Sequence, residues 1–211
     1  KGGVLNGKFP EYFARYAEKV AESLTGVKFW ITLNETNVYT AHGYWKGIWP
    51  PGERSAYRFL LANRRLSRAH KAAYVVIKKH VPSAHVGIAH SIIWFSGSWL
   101  KDYVWNRLFL NSIRGFQDFI GVNYYHSDRH TAIQTDMGWS VDPEGLFHLL
   151  VSLKRYGKPL FVFENGIADA LDEKRAVFIR EHIKSIAKAI ENGADVRGYF
   201  HWSLLDNFEW D

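Results

Sequence analysis

Cysteine is absent from the 211-residue sequence. That excludes a disulfide framework, a thiolate metal site and a cysteine nucleophile. Long apolar runs are missing too, and none approaches the roughly 20 residues a membrane span requires. No glycine-rich phosphate loop of the G-x-G-x-x-G or G-x-x-x-x-G-K type occurs, which argues against a nucleotide-binding fold. Nothing repeats at a short period and nothing is low-complexity. No signal peptide is legible at Lys1-Gly2-Gly3, and no initiating methionine precedes it. The expectation from that end is a cytoplasmic protein represented by a processed chain, a fragment or the ordered part of something longer.

Basic runs are equally scarce. The formal charge is +6 and the isoelectric point near 9.4, which invites a nucleic-acid reading. Yet Arg64-Arg65 and Lys78-Lys79 are only pairs, placed on the polar face of a long amphipathic helix, where a solvated surface explains them. Neither a nucleic acid nor a membrane is expected as partner. What the chain does have is a hydrophobic content of 47%, enough for one sizeable core. Aromatic residues make up 16%. Most such rings pack in cores, and some serve as platforms for sugars.

Taken in order, helical and strand patterns alternate. Pro10 opens a helix to about Leu24, followed by a strand over Lys28–Leu33. Val38 to Glu53, dense in Gly, Pro, Tyr and Trp, is expected to be a structured aromatic loop. A long helix is predicted over Ala56 to His80, with His70 on its apolar face as a satisfied core histidine. Strand His85–His90, helix Trp99 to Ile113 and strand Asp118–Tyr124 follow, with Thr131 to Val141 as loop. Pro143 starts a helix bearing Leu146, Leu149, Leu150 and Leu153, and Leu160 to Phe163 form a strand buried on both faces. Asp172 is expected to cap a helix with Ile179, Ile183, Ile186 and Ile190 on one stripe, and Val196–Leu205 to form the last strand. About five strands leaving on one side, each paired with a helix, mean a parallel α/β sheet.

Two of these strands end in the same way. Lys28 to Leu33 runs into Asn34-Glu35, and Leu160 to Phe163 runs into Glu164-Asn165-Gly166. A glutamate at a strand end caps a following helix, pairs with a charge or does chemistry. A barrel enzyme keeps its reactive groups at the C-terminal ends of its strands, so polar residues at several successive strand ends favour a barrel over a doubly wound sheet.

Leu33-Asn34-Glu35-Thr36, Asp118 to Tyr125, Phe163-Glu164-Asn165-Gly166 and Trp202 to Trp210 together resemble the signature stretches of the family 1 glycoside hydrolases, the β-glucosidase family. Tyr44 to Gly52, with its Pro50-Pro51-Gly52, resembles that family's loop after strand four. The resemblance implies an α/β (β/α)8 TIM barrel with strands four to eight represented, residues 1–211 forming a single, incomplete catalytic-barrel domain. It implies Glu164 as nucleophile and Glu35 as acid/base of a retaining β-glycosidase that hydrolyses terminal β-D-glucosides or galactosides. Asn34 is then expected on the sugar 2-hydroxyl, Tyr125 on the nucleophile, and Asn123 in the same mouth. Trp202 is the implied stacking floor, with Glu209 and Trp210 reading the outer hydroxyls. Neither metal nor organic cofactor is implied, and the partner is a small β-glycoside or oligosaccharide.

Three departures stand out. The family usually has Asn-Glu-Pro where this chain has Asn34-Glu35-Thr36, and proline would stiffen the turn. The same triplet spells an N-glycosylation sequon, read as coincidence at a strand end. Nothing matches the family's first three strands or its last helix, so the chain is expected to be part of a longer protein. Alternatives are an inactive sugar-binding or scaffold half-barrel, a 6-phospho-β-glycosidase (disfavoured by Glu209) and a transglycosidase.

Overall fold

The computed structural model describes residues 2–207. The helices are α1 (Phe9–Ser23), α2 (Thr36–Thr40), α3 (Ala56–His80), α4 (Trp99–Asp102), α5 (Leu108–Ser112), α6 (Pro143–Leu153) and α7 (Arg175–Glu191). The strands are β1 (Phe29–Asn34), β2 (His85–Trp94), β3 (Phe119–Ser127), β4 (Leu160–Glu164) and β5 (Val196–Tyr199), following one another in the sheet in chain order. β1 pairs in parallel with β2, and β4 with β5. The chain divides into two compact units, Lys1–Ser91 with Tyr103–Ile120, and Ile92–Asp102 with Gly121–Asp211.

In the first unit α1 packs on α3. Ala17, Ala21 and Ala73 keep the two helices close and, with Ile77, cover Trp30 and Val86 of the strands beneath. β1 alternates accordingly: Trp30 is buried against the helices, while Phe29 and Ile31, on the opposite face, are exposed. His70 is the core histidine that its place on the apolar face predicts. Its Nδ1 accepts from the Thr32 hydroxyl at 2.6 Å and its Nε2 donates to the Phe116 carbonyl at 2.6 Å, tying α3 to β1 and to the approach of β3. Gly87 permits close strand contact, because a Cβ there would lie 2.7 Å from Phe119.

In the second unit α6 packs on α7. Leu146, Leu149, Leu150 and Leu153 of α6 are all buried, as their spacing requires. Asn165, just past β4, is completely buried. Its Nδ2 donates to the Tyr124 carbonyl at 2.7 Å, its Oδ1 accepts from the Tyr199 hydroxyl at 3.1 Å, and its own carbonyl accepts from the Trp202 amide at 3.0 Å. One amide thus fastens β4 to β3 and to β5.

Several sequence expectations are corrected. The stretch after Glu35 is not a loop throughout: α2 continues into a π-helical turn over Ala41–Lys46, ended by Gly47 at φ 67°. Of its aromatic residues Tyr44 is buried, 2% exposed, while Trp45 is exposed. Asp172 does not cap α7; the Asp169 carboxylate accepts from the Lys174 and Arg175 amides instead, at 2.7 and 3.1 Å. The isoleucine stripe of α7 is only partly inward, since Ile183 and Ile190 are exposed while Phe178, His182, Ile186 and Ala189 are buried. β4 is not buried on both faces: Leu160 and Val162 are, whereas Phe161 and Phe163 are half-buried and stack at 5.7 Å. β5 stops at Tyr199, well short of Leu205. Trp99 to Ile113 is broken into α4, a π turn at Tyr103–Arg107 and α5. β2 runs on to Trp94, so Ile92 and Ile93 continue the strand.

Two outcomes are expected. Replacing Asn165 by Leu leaves the buried Tyr124 carbonyl unpaired, at about 1–3 kcal/mol, and takes its partner from the half-buried Tyr199 hydroxyl. Urea unfolding should show that loss, and a change under 1 kcal/mol would refute the role given to the amide. Burial also pushes His70, His90 and His182 down to about 4, against roughly 6.5 in the unfolded chain. The unfolded state therefore takes up protons first, so stability is complete above about pH 6.5 and falls as pH drops towards 4. His182 Nε2 has no partner among the described residues, and Nδ1 donates only to the Phe178 carbonyl one helical turn back, so His182→Leu removes one titrating group at little packing cost. Thermal melts between pH 7 and 4 should show a smaller acid loss for that variant, and an unchanged loss would refute the assignment.

Candidate active site

In the first unit the carboxylate at the end of β1 sits on a strained backbone. Glu35 has φ 46° and ψ 47°, in the left-handed region, a conformation that costs a non-glycine residue about 1–2 kcal/mol. Its amide donates to the Ala89 carbonyl at 2.9 Å, and its carbonyl accepts from the Tyr39 amide at 3.0 Å. The β1–β2 register shifts between Ile31 and Asn34, bringing Asn34 opposite Ala89. The turn is therefore held by β2 on one side and α2 on the other. Glu35 is half-buried and Asn34 exposed. Beneath them Asn37 is buried and donates Nδ2 to the Ser91 and Trp105 carbonyls at 2.8 and 3.2 Å. Thr36, standing where the family's proline would be, is 2% exposed and opens α2. Burial and the two backbone bonds of Glu35 stiffen the turn without a proline ring.

In the second unit Glu164 closes β4, half-buried. The Tyr125 hydroxyl donates to its Oε2 at 2.7 Å. A hydrogen bond of that kind favours the ionised carboxylate. Alternation along β3 separates the two tyrosines: Tyr125 turns to Glu164, while Tyr124 is fully buried with its hydroxyl on the Asp142 carbonyl at 2.7 Å. Asn123 is also fully buried. The Trp139 ring stands edge-on to Tyr125 at 6.1 Å and tilted to His126 at 5.0 Å, and burial lowers the pKa of His126. Trp202 is 41% exposed, an open aromatic surface beyond β5. At Gly166 a Cβ would lie 1.8 Å from the Trp202 carbonyl oxygen, so only glycine lets the two strand ends approach.

Of the residues singled out from sequence, the second unit brings Tyr125 to Glu164 and seats Trp202 on Asn165, while Asn34 and Glu35 lie in the first unit. Glu209 and Trp210 lie outside the described residues. Sequence reading missed Asn165 as a strand clamp, although a polar residue between a strand-end acid and a glycine signals it. It also passed over His126 and Trp139, the latter in a stretch with no periodicity. Among the described residues, Glu18, Glu22 and His80 offer metal-ligand atoms within 4.8 Å of one another, on α1 and α3 rather than at a strand end. A cavity of roughly 860 Å³ in the second unit touches Ile167 and α7 but neither Glu164 nor Tyr125.

The family model for glycosyl hydrolase family 1 matches residues 1–98 and 126–211. The interval it omits holds Asn123 and Tyr125. Beta-glucosidase A of Thermotoga maritima is 31% identical over 276 aligned positions, which take in 100% of the chain and 62% of that protein. Beta-galactosidase of Sulfolobus acidocaldarius is 31% identical over 261 positions, covering 99% of the chain and 53% of its own length. Both matched stretches are longer than the 211 residues here, so each relative carries internal segments this chain lacks. The chain spans little more than half the length of these relatives. Among solved structures, the beta-glycosidase from Pyrococcus horikoshii superposes with a TM-score of 0.91 at 36% identity, over 100% of the chain and 59% of its own. The parallel five-stranded sheet is thus part of a (β/α)8 barrel, and the chain belongs to glycosyl hydrolase family 1.

Proposed function

We propose that this chain carries both catalytic carboxyls of a retaining β-glycosidase acting on terminal β-D-glucosides or galactosides, as one part of a single barrel domain. The observation that supports it best is Glu164 at a strand end with the Tyr125 hydroxyl 2.7 Å from its Oε2, in a chain of this family. The names of the relatives, beta-glucosidase and beta-galactosidase, point to the sugars.

In the first step Glu164 attacks the anomeric carbon while Glu35 gives its proton to the leaving oxygen. The bond to the aglycone breaks as a glycosyl ester forms on Glu164. Tyr125 keeps Glu164 ionised beforehand, since its hydrogen bond is strongest to a charged acceptor. Once the ester forms, the negative charge is gone and the pKa of Glu35 falls. The same carboxyl then takes a proton from a water whose oxygen bonds the anomeric carbon as the ester bond breaks, releasing the sugar and the Glu164 carboxylate. Such enzymes hold the two carboxyls roughly 5–5.5 Å apart. The 2-hydroxyl falls to Asn34 and the sugar face to Trp202; Asn123 supports the same mouth, and Glu209 with Trp210 the outer hydroxyls.

The two carboxyls are separable by experiment. Glu164→Gln should abolish turnover of every glycoside. Glu35→Gln should lose about 10²–10⁴-fold on a disaccharide and much less on a dinitrophenyl glycoside, whose leaving group needs no proton. Added azide should rescue Glu35→Ala with retained configuration. Turnover within tenfold of wild type in Glu164→Gln would overturn the assignment. Tyr125→Phe should lower kcat at least tenfold with little change in sugar affinity, and an unchanged kcat would remove Tyr125 from the machinery.

A further inference from the structure

Helix α3 has an unusual charge inventory. Its 25 residues include Arg58, Arg64, Arg65, Arg68, Lys71, Lys78 and Lys79 and no Asp or Glu. A helix facing only water gains from mixed signs at i,i+4, and like charges at that spacing repel. Arg64 and Arg68 are such a pair. Tyr57, Leu60, Arg64, Arg68, Lys71 and Val75 recur every three or four residues and form the outward stripe, opposite the buried Phe59, Ala62, Leu66, Ala69, Ala73 and Ile77.

Most of the other cations have partners within the unit. Arg58 pairs with Glu53, Lys71 lies over the Phe116 ring, Lys78 donates to Asp118 and Lys79 meets Glu18 at 3.8 Å. Arg64 and Arg68, in the middle of the stripe, are exposed and have no ion pair or hydrogen bond among the described residues. The acids of the adjoining α1 do not neutralise them: Glu18 is taken up by His80 and Lys79, and Glu22 by Lys19 and His80, leaving Glu11 exposed. The imbalance extends to the whole first unit, with sixteen Lys and Arg against six Asp and Glu, a formal +10. The second unit has eleven against fifteen, a formal −4.

We propose that the outward stripe of α3 anchors a linear acidic polysaccharide, one carrying about one carboxylate or sulfate per sugar; the choice of a glycan rests on the glycosidase reading. Arg64, Arg68 and Lys71 form a straight row whose members rise by about 4.5–6 Å along the helix axis. Duplex DNA, with a charge about every 1.7 Å, is far denser than this row. A polymer charged once per sugar is diluted to a comparable degree. Tyr57, 73% exposed at the start of the stripe, adds a flat apolar face of the kind that packs on a pyranose ring. Anchoring at α3 holds the protein on the polymer, away from the reacting atoms, and does not require the acidic sugars themselves to be substrates.

The test measures binding of polygalacturonate to the purified protein by affinity electrophoresis, with a neutral glucan and duplex DNA as comparators, at low and physiological salt. Turnover of p-nitrophenyl β-glucoside is followed on the same samples. Wild type should bind polygalacturonate, in a salt-dependent way, and not the neutral glucan. Arg64→Gln with Arg68→Gln should weaken that binding at least tenfold and flatten its salt dependence, with turnover within twofold of wild type. Tyr57→Ala should weaken it several-fold. Arg180→Gln with Lys184→Gln, removing equal charge from α7, should leave it unchanged. The surface is refuted if the α3 pair binds like wild type, if the α7 pair loses as much, or if DNA binds more tightly than polygalacturonate. Wild type that binds polygalacturonate but never turns over a glycoside would refute the glycosidase reading and not the surface.

Discussion

The buried amide of Asn165 is the constraint on which the second unit's site depends. A primary amide inside a protein must find partners for both its ends or destabilise the fold. Here those partners are the Tyr124 carbonyl and the Tyr199 hydroxyl, on the strands to either side. Meeting its own requirement therefore fixes where β4 ends relative to β3 and β5. Glu164 is the preceding residue, and Tyr125 follows Tyr124. The 2.7 Å contact between Tyr125 and Glu164 is thus set by an interaction one residue away, on the buried side. Gly166 completes the arrangement by letting the Trp202 carbonyl come within reach of backbone only.

The first unit reaches the same end by a different route. Glu35 sits on a left-handed turn, held by the Ala89 carbonyl and the first turn of α2, with the buried Asn37 amide two residues on tied to the Ser91 and Trp105 carbonyls. His70 supplies the long-range tie, linking Thr32 on β1 to the Phe116 carbonyl. Because the imidazole is buried and must donate from one nitrogen and accept at the other, it functions only when neutral. The strands in both units keep apolar side chains on the face opposite their buried residues, Phe29 and Ile31 in one, Phe161 and Phe163 in the other. Surface of that kind is what a barrel buries at its axis.

Much of this was legible in the sequence, for physical reasons that differ by element. Helices such as α6 declare themselves because leucines at i, i+3, i+4 and i+7 have only one conformation that buries all of them. The strand-end glutamates stand out because a charge after an apolar run has no use within the strand. What stayed hidden was decided by tertiary contact. Asp169 rather than Asp172 caps α7 because the chain folds back to bring Asp169 to the amides of Lys174 and Arg175, which no spacing rule states. The π turn after α2 was obscured by Gly43, Pro50 and Pro51, whose composition suggests open loop although Tyr44 is packed away. The register shift that aims Glu35 leaves no mark in sequence at all.

The backbone of Glu35 bears on how such a protein should be engineered. Glycine occupies φ 46° without penalty, and asparagine with little, so either would relieve the turn. A library sorted for heat resistance alone would therefore enrich the replacements that delete the carboxyl proposed as proton donor. Screens on this scaffold need an activity gate in every round, because at residue 35 robustness and the proposed proton transfer select opposite side chains.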